Sequence, residues 1–202
     1  MNTWAILPVK SLSQSKTRLA HLLSPAERAR LMQNLLEHTI DTLHQVSEVS
    51  KTLVVSHDDT VLEIAERYQT DTLIETAPFQ LKTAVTQATK YAKLHHVDSI
   101  LIIPADLPFL QAHEIQQLLE NRSPQTACII CPDETETGTN ALFMPPHTDF
   151  IFQYGPNSFQ KHLNEAKRLH MTTQIVSYPG ICFDLDTETD WHIYQQTLGV
   201  NL

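Results

Sequence analysis

The sequence predicts an α/β protein with a mainly parallel mixed sheet and helices on both faces. Three observations carry that prediction. Short apolar runs alternate with segments of helical period through the first half of the chain, the pattern of successive βα units. The run Ile100–Ile103 is unbroken and apolar, too short for a buried helix but suited to a strand covered on both faces. Pro104 and Pro108 close it, since proline donates nothing to a sheet ladder and restricts the residue before it. No repeat, low-complexity segment or linker interrupts the alternation, so residues 1–202 are expected to form one domain.

Taken in order, Trp4–Val9 reads as a first buried strand, and Lys10–Leu19 as a polar loop leading into a helix. Ser24-Pro25-Ala26-Glu27 is a capping box with proline at the first helical position. Met32, Leu36, Ile40 and Leu43 mark one face of the helix that follows, to about Val46. Lys51–Ser56 is a second strand, and Asp58 or Asp59 caps a helix bearing Val61, Ile64, Ala65 and Tyr68. Thr72–Ile74 is a short strand and Leu81–Leu94 a helix with Ala84, Ala88 and Ala92 on a close-packing face. After the central strand comes a helix over Ala112–Glu120. The second half is less regular. Thr126–Cys131 and Ala141–Met144 read as strands, Ser158–Leu169 as a helix, Ile175–Tyr178 and Ile181–Phe183 as extended, and Thr187–Leu198 as a closing helix.

Composition narrows the function classes. Fourteen Lys and Arg against 23 Asp and Glu leave a net charge of −9, the wrong sign for a nucleic-acid binder. No apolar run is long enough to span a bilayer, and the start lacks a basic-then-apolar leader, so no membrane partner is expected. Three cysteines, an odd count, point to a reducing cytoplasm. Cys128 and Cys131 have C-x-x-C spacing, yet on a strand positions three apart face opposite ways, so they read as core rather than metal ligands. The oligomeric state stays open between monomer and homodimer.

With so few cations, their location matters. Lys10, Lys16 and Arg18 lie within nine positions, after the first strand, among hydroxyl-bearing residues. Such a loop holds anions well; on charge alone, a solvated turn is an equal reading. Neither G-x-G-x-x-G nor a Walker loop is present. Asp106 lies just past the carboxyl end of the central strand, where open α/β sheets place ligands, and position alone allows a turn former or a metal ligand. Asp184 and Asp186 are two apart, so on extended backbone both carboxylates face one side. Asp186 could cap the helix after it, but a second carboxylate beside it repels the first unless a divalent cation joins them. Mg²⁺ suits that role, with Asp106 as the third ligand. A basic loop, a strand-end carboxylate and a late D-x-D together fit a nucleotide transferase of the glycosyltransferase-A-like, nucleotide-diphospho-sugar transferase fold.

On these motifs the chain resembles the 2-phospho-L-lactate guanylyltransferase family, CofC and the bacterial phosphoenolpyruvate guanylyltransferase FbiD, of coenzyme F-420 biosynthesis. The matching blocks are P-V-K-S-L-S-Q-S-K-T-R-L at Pro8–Leu19, L-S-P-A-E-R at Leu23–Arg28 and A-D-L-P at Ala105–Pro108. They continue with T-G-T-N-A-L at Thr137–Leu142, Y-G-P-N-S-F at Tyr154–Phe159 and D-L-D-T at Asp184–Thr187, in family order. The resemblance implies transfer of GMP from GTP onto the phosphate of a three-carbon phospho-acid, with pyrophosphate released. It implies Mg²⁺ on Asp106, Asp184 and Asp186. GTP would be held by Pro8, Val9, Lys10, Ser15, Lys16 and Arg18, with Lys16, Arg18 and Asp106 taking part in catalysis. It implies an acceptor site of Thr139, Gly155 and Ser158. Two of the four glycines, Gly138 and Gly155, lie in those loops, and Ser158 opens a helix whose first amides favour an anion. The family usually shows Leu-Asn where this chain has Leu81-Lys82, so Lys82 joins the nucleotide set as an added charge. Phosphoenolpyruvate is the preferred acceptor by likeness to the bacterial branch, with 2-phospho-L-lactate and 3-phospho-D-glycerate the alternatives. A molybdopterin guanylyl- or cytidylyltransferase would carry a glycine-rich first loop, and a nucleotide-sensing domain would have no need of the three carboxylates.

Overall fold

The structure is a computed structural model that describes residues 2–122 and 127–199. Seven strands form one sheet in the order β3-β2-β1-β4-β6-β5-β7. They are β1 (Thr3–Pro8), β2 (Val49–Ser56), β3 (Asp71–Ile74), β4 (Ser99–Ile102), β5 (Cys128–Pro132), β6 (Thr139–Met144) and β7 (Thr173–Ile175). β6 alone runs antiparallel to both of its neighbours, so the sheet is mixed but mainly parallel, as the alternation predicts. Fully apolar strands need cover on both faces. They have it, in two separate cores. Ala5, Leu7, Leu101 and Ile103 pack on one side with the first helix, while Trp4, Ile6, Ile100 and Ile102 pack on the other with Ala84, Ala88 and Ala92. Cys128 and Cys131 fall in opposite cores, as strand alternation requires.

The helices are α1 (Pro25–His44), α2 (Asp59–Arg67), α3 (Leu81–Leu94), α4 (Ala112–Glu120), α5 (Ser158–Arg168), α6 (Pro179–Cys182) and α7 (Glu188–Leu198). Ser24 closes the expected capping box with Glu27, and Asp58 caps α2 by accepting from the Thr60 amide at 3.0 Å. The first strand stops at Pro8, one residue short of the expected end, although the Val9 amide still reaches the Val55 carbonyl at 2.9 Å.

Two expectations need correction. Ile181–Phe183 is not extended: Pro179–Cys182 forms the single turn α6, opened by proline at its first position. Gly180 permits the turn to seat, because a Cβ there would stand 2.3 Å from both Glu114 Oε2 and the Phe109 carbonyl oxygen. The strand expected over Ile175–Tyr178 is instead Thr173–Ile175, and Val176 makes one further bond to the Ile130 carbonyl. Thr126, placed at the start of a strand by the sequence, lies outside the described residues.

Candidate active site

The loop after β1 is built from two short 3-10 turns, Leu12–Gln14 and Thr17–Leu19, with Lys16 between them. Lys16 has φ 53° and ψ 39°, a left-handed conformation that costs a residue with a Cβ about 1 kcal/mol. Its side chain offsets that cost. Nζ donates to Asp106 Oδ2 and Asp186 Oδ1, both at 2.8 Å, from a position only 3% exposed. Burial disfavours the ammonium, but the two carboxylates outweigh it and raise the Lys16 pKa above the usual lysine value. The loop is tied down elsewhere by Ser15, whose hydroxyl donates to the Ser11 carbonyl, and by Asp58, which accepts from the Leu12 amide at 3.1 Å.

The carboxylates come from two loops that run side by side, joined where the Leu185 amide donates to the Asp106 carbonyl at 3.2 Å. Asp186 is not the cap of α7. Thr187 is, in a capping box with Asp190, whose carboxylate also accepts from the Asp186 amide. The Asp186 side chain is thereby released for Lys16 and, at 3.7 Å, for the exposed Arg18 guanidinium. Burial opposes its charge, yet Lys16 and Arg18 hold its pKa below the ordinary value. Asp184 shows the reverse. Burial first, then the charges of Asp106 and Asp186, push it up to about 6, against a weak contact from Asn140 Nδ2 at 3.4 Å.

These three residues were the expected Mg²⁺ ligands. They converge closely enough to shift Asp184, but the space between two of them is taken by the Lys16 ammonium. Among the described residues, no three His, Cys, Asp or Glu side chains are gathered so as to hold a metal ion by themselves. The donor chemistry still suits Mg²⁺. Hard carboxylate oxygens outnumber the one buried cation, and Mg²⁺ needs only one or two carboxylates, completing its shell with water and phosphate oxygens.

Beside this patch, Asn140 Nδ2 donates to the Ile181 and Cys182 carbonyls and links β6 to the segment bearing Asp184. Its neighbour Thr139 faces Ser158, with 3.4 Å between the hydroxyl oxygens, and His162, whose Nδ1 is 3.0 Å from Thr139 Oγ1. His162 Nε2 accepts from the Gln153 amide at 3.0 Å, so the proton of a neutral ring sits on Nδ1 and is donated to Thr139. Neutrality follows from burial, which lowers the His162 pKa to about 4. With its oxygen accepting from His162, the Thr139 hydroxyl keeps its own proton for another acceptor. Gly155 has φ 113°, and a Cβ there would meet nothing within 4 Å, so the loop beside Ser158 is open. The first amides of α5 differ from expectation: those of Ser158 and Phe159 are taken by the Gly155 and Thr137 carbonyls.

A cleft of about 410 Å³ runs along the carboxyl ends of the strands, the ligand-binding edge of an open α/β sheet. Of the expected nucleotide residues, Pro8, Val9, Lys10, Ser15, Lys16 and Arg18 line it, together with Asp106 and Asp186. Lys82 does not, although its neighbours Gln80 and Leu81 do; nor do Asp184, Thr139, Gly155 and Ser158.

The family model described as guanylyl transferase, CofC like, matches residues 3–193. The chain belongs to the CofC-like guanylyl transferase family. Among its relatives, the phosphoenolpyruvate guanylyltransferase of Rubrobacter xylanophilus is 33% identical over 99% of this chain and 97% of its own. The 3-phospho-D-glycerate guanylyltransferase of Colwellia psychrerythraea is 31% identical over 94% of this chain and 90% of its own. The fold is shared more widely. The crystal structure of 4-diphosphocytidyl-2C-methyl-D-erythritol synthase from Anaerococcus prevotii superposes with a TM-score of 0.69 at 11% identity, covering 98% of this chain and 96% of that one.

Three features of this CofC-like chain escaped the sequence. Asn140 and His162 buttress the expected acceptor residues, and His57 with Glu75 lines the cleft beyond the basic loop. Asn140 sits inside the T-G-T-N block and was within reach of motif reading. A lone histidine on α5, or a glutamate just past a short strand, carries no such signal.

Proposed function

We propose that the protein transfers GMP from GTP to the phosphate of a three-carbon phospho-acid, phosphoenolpyruvate by preference, as a Mg²⁺-dependent step of coenzyme F-420 biosynthesis in the cytoplasm. The observation that carries this reading is the meeting of the basic loop and the strand-end carboxylates at one cleft, with the Thr139–Ser158–His162 cluster linked to them through Asn140. The family membership and the two named relatives support the reaction class; they differ from one another in acceptor.

An oxygen of the acceptor's phosphate is anionic near neutral pH and attacks the α-phosphorus directly. A new P–O bond forms there, the bond to the β-phosphate breaks, and its electron pair leaves with pyrophosphate. No proton has to be taken from the nucleophile, so the protein contributes position and charge. Lys10 and Arg18, both exposed at the cleft, neutralise phosphate oxygens, while Lys16 supplies a fixed positive charge that cannot swing away. Asp106, Asp184 and Asp186 would hold Mg²⁺, which when bound neutralises phosphate charge as a Lewis acid. Thr139 and Ser158 offer hydroxyls to the acceptor, and the open loop at Gly155 lets its backbone approach.

The test is pyrophosphate release with GTP, Mg²⁺ and each of phosphoenolpyruvate, 2-phospho-L-lactate and 3-phospho-D-glycerate. Phosphoenolpyruvate is expected to give the highest kcat/KM. A win for another acceptor removes the preference, and no release with any of them removes the reaction.

A further inference from the structure

Glu75 immediately follows β3, where its amide donates to the Ser56 carbonyl at 2.8 Å, and its side chain is only 5% exposed. One carboxylate oxygen, Oε2, is 3.1 Å from His57 Nδ1. The other, Oε1, is buried and has no hydrogen-bond partner among the described residues. An orphaned carboxylate oxygen inside a protein is expensive, and a structural glutamate would be expected to have found a donor. Glu75 also lines the cleft that receives Lys10, Lys16 and Arg18. The missing donor is therefore to be sought in whatever fills that cleft.

The sheet order says how far away that is. Along the carboxyl edge run β3, β2, β1 and β4, carrying Glu75, His57, the basic loop and Asp106 respectively. Three strand spacings separate the first from the last, roughly 14 Å, comparable to the length of a nucleoside triphosphate. With phosphates at the basic loop and carboxylates, the base lies toward β2 and β3. There His57 stacks on the exposed Phe79 ring, centroids 4.2 Å apart, and gives the cleft an aromatic wall. His57 also fixes the carboxylate by its own contact, so Oε1 is pre-set rather than searching.

Resting on the guanylyl-transfer reading above, we infer that Glu75 selects the base, its carboxylate accepting from the N1–H and 2-amino group of a guanine. Guanine is the common purine that presents two adjacent donors, and a carboxylate presents two adjacent acceptors. Adenine would set its unprotonated N1 against the carboxylate and be rejected. Glutamine at this position weakens the match, since its amide accepts at one atom only and sets an N–H against guanine's donors, while that same N–H suits the bare N1 of adenine.

The experiment compares GTP, inosine triphosphate and ATP, by calorimetric binding without acceptor and by pyrophosphate release with it. In the native protein, loss of the 2-amino group in inosine triphosphate is expected to weaken binding about tenfold or more, and ATP more still. Glu75→Gln is expected to shrink the GTP-to-ATP preference by about a hundredfold, with the acceptor KM unmoved. Glu75→Asp, which withdraws both oxygens by one carbon, should lose GTP without gaining ATP. Circular dichroism and thermal unfolding establish that both variants fold. If either does not, the native comparison of GTP with inosine triphosphate decides. Equal affinity for those two nucleotides overturns the inference, as does an unchanged base preference in a folded Glu75→Gln protein. Base-selective binding without transfer to any three-carbon acid would sink the proposed reaction and keep Glu75 in its role. Transfer indifferent to the base would do the opposite, and no nucleotide binding at all overturns both.

Discussion

Replacing Lys16 with methionine keeps an unbranched side chain one atom shorter and removes its charge. Two contacts of 2.8 Å are lost, and Asp186 is left with the exposed Arg18 and the charge of Lys10 nearby. Removing one partner of a fully buried ion pair costs about 3–5 kcal/mol. Here Asp106 is 27% and Asp186 42% exposed, so water can reach both oxygens once the ammonium has gone, and the cost falls to about 2 kcal/mol. The left-handed backbone at position 16 gives no relief, since methionine carries the same Cβ. In a chain of this size the expected fall in Tm is about 4–8 °C. The same substitution adds one net negative charge to the carboxylate patch, so millimolar Mg²⁺ should raise the Tm of Lys16→Met by more than that of the native protein. Turnover moves the other way, with kcat/KM for GTP falling about tenfold or more. Scanning fluorimetry with and without Mg²⁺, beside pyrophosphate release, reads all three. A variant within about 1 °C of the native Tm, with unchanged Mg²⁺ response and unchanged GTP kinetics, would refute the claim that this ion pair organises the site.

Asp106→Asn should abolish most turnover. It should also cost about 1–2 kcal/mol of stability, because Lys16 keeps Asp186 as its one charged partner; chemical denaturation separates the two effects. Ser158→Ala should raise the acceptor KM about two- to tenfold while leaving the GTP KM alone, and the opposite split would remove Ser158 from the acceptor site. His162 gives a pH signature. The folded ring is neutral down to about pH 4 while the unfolded ring protonates near 6.5, so the unfolded state binds the extra proton between those values. Stability is complete above pH 6.5 and falls as pH drops toward 4, by on the order of 3 kcal/mol for this fully buried group. Denaturation midpoints across that range should show the loss, and His162→Gln should flatten it.

What the sequence could reveal divides along the range of the forces involved. Local signals were sufficient for the elements: apolar runs for β1, β2 and β4, the Ser24 box for α1, the Asp58 cap for α2. Ile181–Phe183 misled because three apolar residues in a row read the same whether they extend or turn. Pro179 and the space beside Glu114 decided the matter, and that space belongs to another element. The basic loop and the three carboxylates were readable as types. That Lys16 would be spent on Asp106 and Asp186 rather than left free was not, since the partners lie 90 and 170 positions away. Lys82, a cation in a suggestive place, lies outside the cleft lining although its neighbours Gln80 and Leu81 belong to it.

The span of the Lys16–Asp186 contact also sets a timetable. On the ribosome, residue 16 is made 170 positions before residue 186 and must wait for it before its ammonium can be held on both sides. At synthesis rates of about 5–20 residues per second that interval is roughly 10–30 s. Throughout it the first loop has no second carboxylate to hold the left-handed turn at Lys16. The two-sided grip on Lys16 therefore comes only after Asp186 has left the ribosome, long after the loop it clasps was made.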